Sequence, residues 1–228
     1  MTTMDEHEVT CGVCQKQTFV RMITSTNSMG SPDLDTRPAP MRRYNLGAEI
    51  SRCPYCGYCC VDLKSATESD ISLVGQEEYQ SQLTNTDFPE IANSYLCYAL
   101  LNDASDDSEN HFWSMLSAAW ACDDEGTEDA AASCRLQAAD IGFLCFEKGI
   151  SFGGDKDSEI AIIVDALRRA KDFNRASALL AEHDGSCENE TVQVVLNFQR
   201  DLVFKQDCQL YKIQHAFEHA EQQHAPED

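Results

Sequence analysis

No run of about 18 apolar residues occurs in this chain, so it offers no membrane-spanning helix. Its 228 residues are also poor in positive charge: 17 Lys and Arg stand against 39 Asp and Glu, a net charge of −22. That balance repels phosphate backbones and anionic lipid, and argues against nucleic acid or a membrane surface as partner. Phosphate-cradling glycine loops are missing. Neither G-x-x-x-x-G-K-[ST] nor G-x-G-x-x-G occurs, and Gly153-Gly154-Asp155 reads as a plain loop. Ser/His/Asp and H-E-x-x-H arrangements are missing too, which leaves no recognisable catalytic constellation. Met1 to Glu8 has neither a basic n-region nor an apolar h-region, so the expectation is no signal peptide and a cytoplasmic location. The hydrophobic share, 43%, is that of a chain able to bury a core.

What the chain does have is cysteine, 12 residues in all. In a reducing compartment, clustered cysteines are better read as metal ligands than as disulfides. Cys11-Gly-Val-Cys14 and Cys53-Pro-Tyr-Cys56-Gly57 each place two thiolates on one tight turn. Two such turns make a tetrahedral four-sulfur site, the geometry zinc accepts. Gly57 fits the left-handed position after the second pair. The expected cofactor is one structural Zn²⁺ held by Cys11, Cys14, Cys53 and Cys56, with iron as the minor alternative. Lys16 and Arg52 flank the turns and can offset the negative site. The pairs are 38 residues apart, and that interval carries a Ser-, Gly-, Pro- and Asp-rich loop from Asn27 to Pro40. Phe19 to Ile23 alternates as a strand does, and Tyr44 to Ile50 is a second, weaker strand candidate. Cys59 and Cys60 follow directly. They are read as packing residues, with ligand exchange or redox sensing as alternatives. The remaining six cysteines fall mostly on apolar helical stripes, as small core residues do.

From Pro89 onward the apolar period becomes helical. Stripes run through Ile91, Tyr95 and Tyr98; through Phe112, Met115, Leu116 and Ala119; and through Cys134, Ala138, Ile141 and Cys145. Others follow at Ile160 to Leu167, Phe173 to Leu180 and Val192 to Leu202, with a seventh candidate between Leu210 and Phe217. Lys171-Asp-Phe-Asn-Arg-Ala176 resembles the turn and second-helix start of a tetratricopeptide repeat. The expected fold class is mainly α: a small N-terminal zinc-ribbon-like β module, then a tetratricopeptide-like antiparallel helical-hairpin array. The expected division is a metal-binding module over 1–63, a linker over 64–87 with one short helix around Glu77–Leu83, a helical-repeat domain over 88–221 and a disordered tail over 222–228.

The order of these motifs resembles the bacterial DUF2225 family. The resemblance rests on the two Cys pairs around a long loop with Asp33 and Asp35, on Tyr44 and Tyr58, and on Ala118-Ala-Trp120, Leu167-Arg-Arg169 and Lys171-Asp-Phe173. It implies a zinc-ribbon-like segment coupled to helical repeats, and no particular activity. The chain departs from the pattern at Cys59-Cys60.

Residues 1–64 hold seven basic and seven acidic residues, so the whole excess of −22 lies beyond them. The best-supported function is a non-catalytic protein-interaction or adaptor protein whose helical surface binds a basic or amphipathic protein segment. One alternative is a nucleic-acid-binding ribbon using Arg37, Arg42, Arg43 and Arg52 with Tyr44, Tyr55 and Tyr58. Another is a thiol-based redox or metal sensor using Cys59 and Cys60. His215 and His219, four apart on a helix with Cys208 and His224 nearby, read as a solvated helix face. His111 and His183 read as lone, and the acidic runs Asp103–Glu109 and Asp123–Asp129 as solvated turns.

Overall fold

Two short β-hairpins and ten α-helices make up the chain in a computed structural model that describes residues 2–224. The elements in order are β1 (Thr3–Thr10), β2 (Gln17–Ser25), a 3₁₀ turn (Arg42–Asn45), α1 (Leu46–Glu49), β3 (Ser51–Arg52) and β4 (Cys59–Cys60). Helices follow at α2 (Glu68–Val74), α3 (Glu77–Leu83), α4 (Glu90–Ala104), α5 (Ser108–Asp124) and α6 (Glu128–Lys148). The last four are α7 (Lys156–Arg169), α8 (Phe173–Glu182), α9 (Glu190–Phe204) and α10 (Ile213–His224). No helix among the described residues is long and apolar enough to cross a membrane.

Contacts divide the chain into two units, 2–29 with 40–134 and 30–39 with 135–224. In the first unit, β1 and β2 pair antiparallel, with Glu6 opposite Arg21 and Val9 opposite Thr18. Val9 is the one buried side chain of the two strands. β3 and β4 form the second hairpin. The Tyr44–Ile50 strand candidate is corrected: those residues are the 3₁₀ turn and α1, with Leu46 buried and its carbonyl accepting a 2.9 Å bond from the Tyr95 hydroxyl.

Residues 64–87 hold two helices. Thr67 and Asp70 form a reciprocal capping box that starts α2, and α3 covers Glu77–Leu83 with Tyr79 and Leu83 buried. Val74, Tyr79, Leu83, Cys97 and Leu101 share one buried cluster with Val9, Cys11, Cys53, Tyr58 and Leu63. Residues of β1, the Cys turns, α2, α3 and α4 thus share one buried cluster.

One link recurs between helices. Ser105-Asp106-Asp107 joins α4 to α5, Glu125-Gly126-Thr127 joins α5 to α6, and Ala170-Lys171-Asp172 joins α7 to α8. The middle residue is left-handed each time, at φ 56°, 71° and 64°. The third donates its N–H five residues back, Asp107 to Asn102, Thr127 to Cys122 and Asp172 to Leu167, at 2.9, 3.0 and 2.9 Å. This is the Schellman closure of a helix end. Asp107 and Asp172 then cap the next helix through Asn110 and Arg175. Within the acidic run Asp103–Glu109, Asp107 is that cap and Glu109 lies in the first turn of α5.

The second unit contains α7–α10 and the segment 30–39. Its core carries a polar network. Arg168, with no exposed surface, donates to Asp165 at 2.6 Å and to the carbonyls of Asp207 and Gln209 at 2.6 and 2.9 Å. Asp35, equally buried, faces Arg169 at 3.7 Å. Of the expected tail, 222–224 complete α10, and 225–228 lie outside the described residues.

Candidate metal centre

Each Cys pair sits on the turn of a β-hairpin, and the two turns use one hydrogen-bond pattern. The N–H of Cys11 donates to Lys16 and that of Gln15 to Cys11, at 3.0 and 2.9 Å. Cys53 donates to Tyr58 and Gly57 to Cys53, at 2.8 and 2.9 Å. The residue after the second Cys is left-handed in both, Gln15 at φ 60° and Gly57 at φ 78°. Gly57 fills that place without strain. Gln15 donates Nε2–H to the Gly12 carbonyl at 2.7 Å.

The turns bring the four predicted cysteines together, with all four sulfurs within 4.8 Å of one another. Cys11 Sγ lies 3.7 Å from Cys56 Sγ, and Cys14 Sγ 3.7 Å from Cys53 Sγ. A disulfide is about 2.05 Å long. A tetrahedron with bonds of about 2.3 Å has edges of about 3.8 Å, so the spacing is that of four thiolates around one ion. The donor set fits a thiophilic divalent cation.

The electrostatics differ between the turns. Burial raises the Cys11 thiol above its ordinary range, outweighing the N–H groups of Cys14 and Val13. Burial acts likewise on Cys53, but the N–H groups of Cys56 and Tyr55 outweigh it and bring that thiol down. Cys56 is pushed up, chiefly by burial. Four thiolates at these distances need a central positive charge. Lys16 lies over the Tyr55 ring, 4.8 Å from its centroid, and ties the first turn to the second. Arg52 pairs with Glu90 at 3.5 Å.

The second turn is the better anchored. Tyr58 is buried and its hydroxyl donates to the Ser65 carbonyl at 2.6 Å. Tyr79 donates to the Gly57 carbonyl and accepts from the Cys59 N–H, at 3.1 and 2.9 Å. The first turn is held by Gly12, whose N–H donates to Leu63 at 2.8 Å. A Cβ there would stand 2.7 Å from the Ala66 Cβ.

Cys59 and Cys60 are both buried and lie outside the four-sulfur group. The Cys59 thiol bonds the Gly57 carbonyl at 3.2 Å. Hydrogen bonding with Cys97 brings Cys59 below its ordinary range against the effect of burial. Burial pushes Cys60 up to about 12. The basic-aromatic face does not assemble as a unit: Tyr58 and Arg37 are buried, Arg37 lies in the segment 30–39, and Arg42 pairs with Glu49.

The histidines of α10 go their separate ways. His215 Nδ1 accepts from the Lys212 N–H, and His219 pairs with Asp201 at 2.8 Å. A further group of possible ligands does converge, Asp157, His183 and Cys187. Sequence reading passed over it because Asp157 is 26 residues from His183. The available signal was the i, i+4 pair His183–Cys187.

No family model, no curated protein and no solved structure matches the chain.

Proposed function

We propose that this chain is a non-catalytic adaptor in which Cys11, Cys14, Cys53 and Cys56 hold a structural zinc ion and the helical surface receives a basic or amphipathic protein segment. The observation that carries the reading is the closure of the metal site. Four thiols fill a tetrahedral shell and back onto the core formed with Tyr79, Leu83 and Cys97, so the ion stabilises the fold and offers no open coordination place to a substrate. Iron is the minor alternative for the same ligands.

For the partner, the first unit offers a groove of about 390 Å³ between the 3₁₀ turn, the start of α4 and the end of α5. Tyr44 and Ile91 are exposed there, and Glu90, Asp124 and Glu125 outnumber Arg43. An amphipathic segment can lay its apolar side on Tyr44 and Ile91 and its basic side on the three carboxylates. The recurrent helix link supports a tetratricopeptide-like packing, and the order of motifs supports a DUF2225-type scaffold. Twelve free thiols fit a reducing, cytoplasmic setting.

The test is fluorescence anisotropy of a labelled amphipathic Lys-rich peptide with the zinc-loaded chain. Binding should weaken as salt rises from about 0.1 M to 1 M, as the Debye length falls from about 10 to 3 Å. Asp124→Lys with Glu125→Lys should abolish it, while Asp103→Lys with Asp106→Lys should leave it largely intact. Peptide binding indifferent to both salt and the groove reversals would sink the reading, as would turnover of a small molecule by the purified chain.

A further inference from the structure

The geometry points to a second metal site in the second unit, formed by Asp157, His183 and Cys187, that binds one divalent transition cation of the zinc class and leaves a coordination place for water or an external ligand. Three segments meet there: the first turn of α7, the residue following α8, and the loop leading to α9. One ligand atom from each of the three lies within 4.8 Å of the others. Carboxylate, imidazole and thiolate together are a borderline-soft donor set, which selects zinc-like ions over calcium or magnesium. Three protein ligands are one short of a tetrahedron. That is the arrangement of zinc sites that keep an exchangeable position, unlike the closed four-sulfur group.

The surroundings aim these atoms as an outer shell around a metal does. Asp157 Oδ2 is occupied by the N–H groups of Glu188 and Asn189, at 2.9 and 3.3 Å. This leaves Oδ1 directed at His183. On His183, Nδ1 lies 2.7 Å from Ser186 Oγ, and that hydroxyl also donates to the His183 carbonyl at 2.8 Å. A serine hydroxyl has a single hydrogen. Given to the carbonyl, it leaves Oγ to accept from Nδ1–H. The other nitrogen, Nε2, then stands 2.9 Å from Asp157 Oδ1. With a proton on Nε2, as when the hydroxyl is given to Nδ1 instead, this is a plain hydrogen bond to Asp157; without one, a lone pair and a carboxylate face each other across a place that a cation fills. Ligand histidines characteristically have their remote N–H fixed by an oxygen in this way. The His183 and Asp157 side chains are 11% and 15% exposed, enclosed enough to hold an ion tightly and open enough to admit one.

The competing explanation is a plain clip, in which Asp157 ties the 183–189 loop to α7 with no metal. Metal content separates the two. The full chain, purified without chelator and dialysed against Zn²⁺ alone, should carry two zinc ions, and Cys187→Ser and His183→Gln should each carry one. X-ray absorption at the zinc edge of the unmutated chain should show nitrogen and oxygen neighbours beside sulfur, a readout independent of whether any variant folds. Cobalt substitution should give thiolate charge-transfer absorption that diminishes in Cys187→Ser and does not vanish. The inference is overturned if the unmutated chain saturates at one zinc with an all-sulfur shell. It is equally overturned if folded Cys187→Ser and His183→Gln retain both ions. Absence of the four-sulfur ion would instead contradict the first site and leave one ion, with nitrogen and oxygen neighbours, that both variants lose.

Discussion

Gly57→Ala is the sharpest probe of how the metal turns are seated. Two costs fall on one methyl group. The backbone at 57 is left-handed, φ 78°, which an L-residue adopts at about 1–2 kcal/mol. The new Cβ would also stand 2.1 Å from Leu83 Cδ2, and displacing a buried leucine costs about 1–3 kcal/mol. The sum is about 2–5 kcal/mol of lost stability. A double-mutant cycle separates the parts. Leu83→Ala alone costs about 2–5 kcal/mol, as core truncations do. In that background Gly57→Ala should cost only the backbone part, about 1–2 kcal/mol. The mirror position behaves differently. Gln15→Gly relieves about 1–2 kcal/mol of backbone strain, but loses the side-chain bond to Gly12, worth about 0.5–1.5 kcal/mol. Its net effect should lie between about 0.5 kcal/mol destabilising and about 1.5 kcal/mol stabilising. Urea denaturation of the zinc-loaded chain, followed by circular dichroism, measures all of these. The reasoning is refuted if Gly57→Ala is as stable as the parent, or if its cost is the same with and without the Leu83 side chain.

Cys53→Ser should release the four-sulfur metal and expose the β1–β2 hairpin to proteolysis, because metal binding supplies folding free energy; Cys59→Ser and Cys60→Ser should keep that metal by elemental analysis. Arg168→Met strands the buried Asp165 carboxylate and two carbonyls, and should cost about 3–5 kcal/mol in urea, with part recovered when Asp165→Asn is added. Burial holds the His111 imidazole below its ordinary 6.5 despite the Asp103 carboxylate. The fold therefore favours the neutral ring: the contribution is complete above pH 6.5 and is lost as pH falls through the lowered folded value. His111→Gln should flatten the fall of the melting midpoint between about pH 7 and 5, and an unchanged slope would refute the assignment.

Much of the metal centre was legible because its signal is local. Spacing within each C-x2-C sets the turn, and the turn sets where the sulfurs point. The helical stripes were legible for the same reason: Ile91 to Tyr98 lie in α4, Phe112 to Ala119 in α5 and Ile160 to Leu167 in α7. What escaped depends on partners distant in sequence. Residues 68–74 are polar on average, and only Val74 reveals a buried side; the Thr67–Asp70 capping box was the overlooked cue, whereas the helix expected around Glu77–Leu83 is α3. The loop between the Cys pairs looked solvated by composition, yet Asp33, Leu34, Asp35 and Arg37 are buried. Pairing such as Asp35 with Arg169 is invisible to any window of local sequence. His183 looked isolated for the same reason.

The two turns share a motif but not a setting, and this bears on what the ion does. In the second turn, Tyr58, Cys59 and Gly57 are engaged by α3 or the segment between β4 and α2, so that pair is positioned by protein packing. The first turn lies on a hairpin whose strands bury only Val9, and an isolated two-stranded hairpin is marginal in water. Its ties to the rest of the unit include Cys11 in the buried cluster, the Gly12 contact with Leu63 and Ala66, and the Lys16–Tyr55 stack. A cation held by the four thiolates would therefore join a pair positioned by α3 to a pair on the β1–β2 hairpin. Its free energy would go in part into fixing β1 and β2, and its affinity would depend on the helices that hold Cys53 and Cys56 in place.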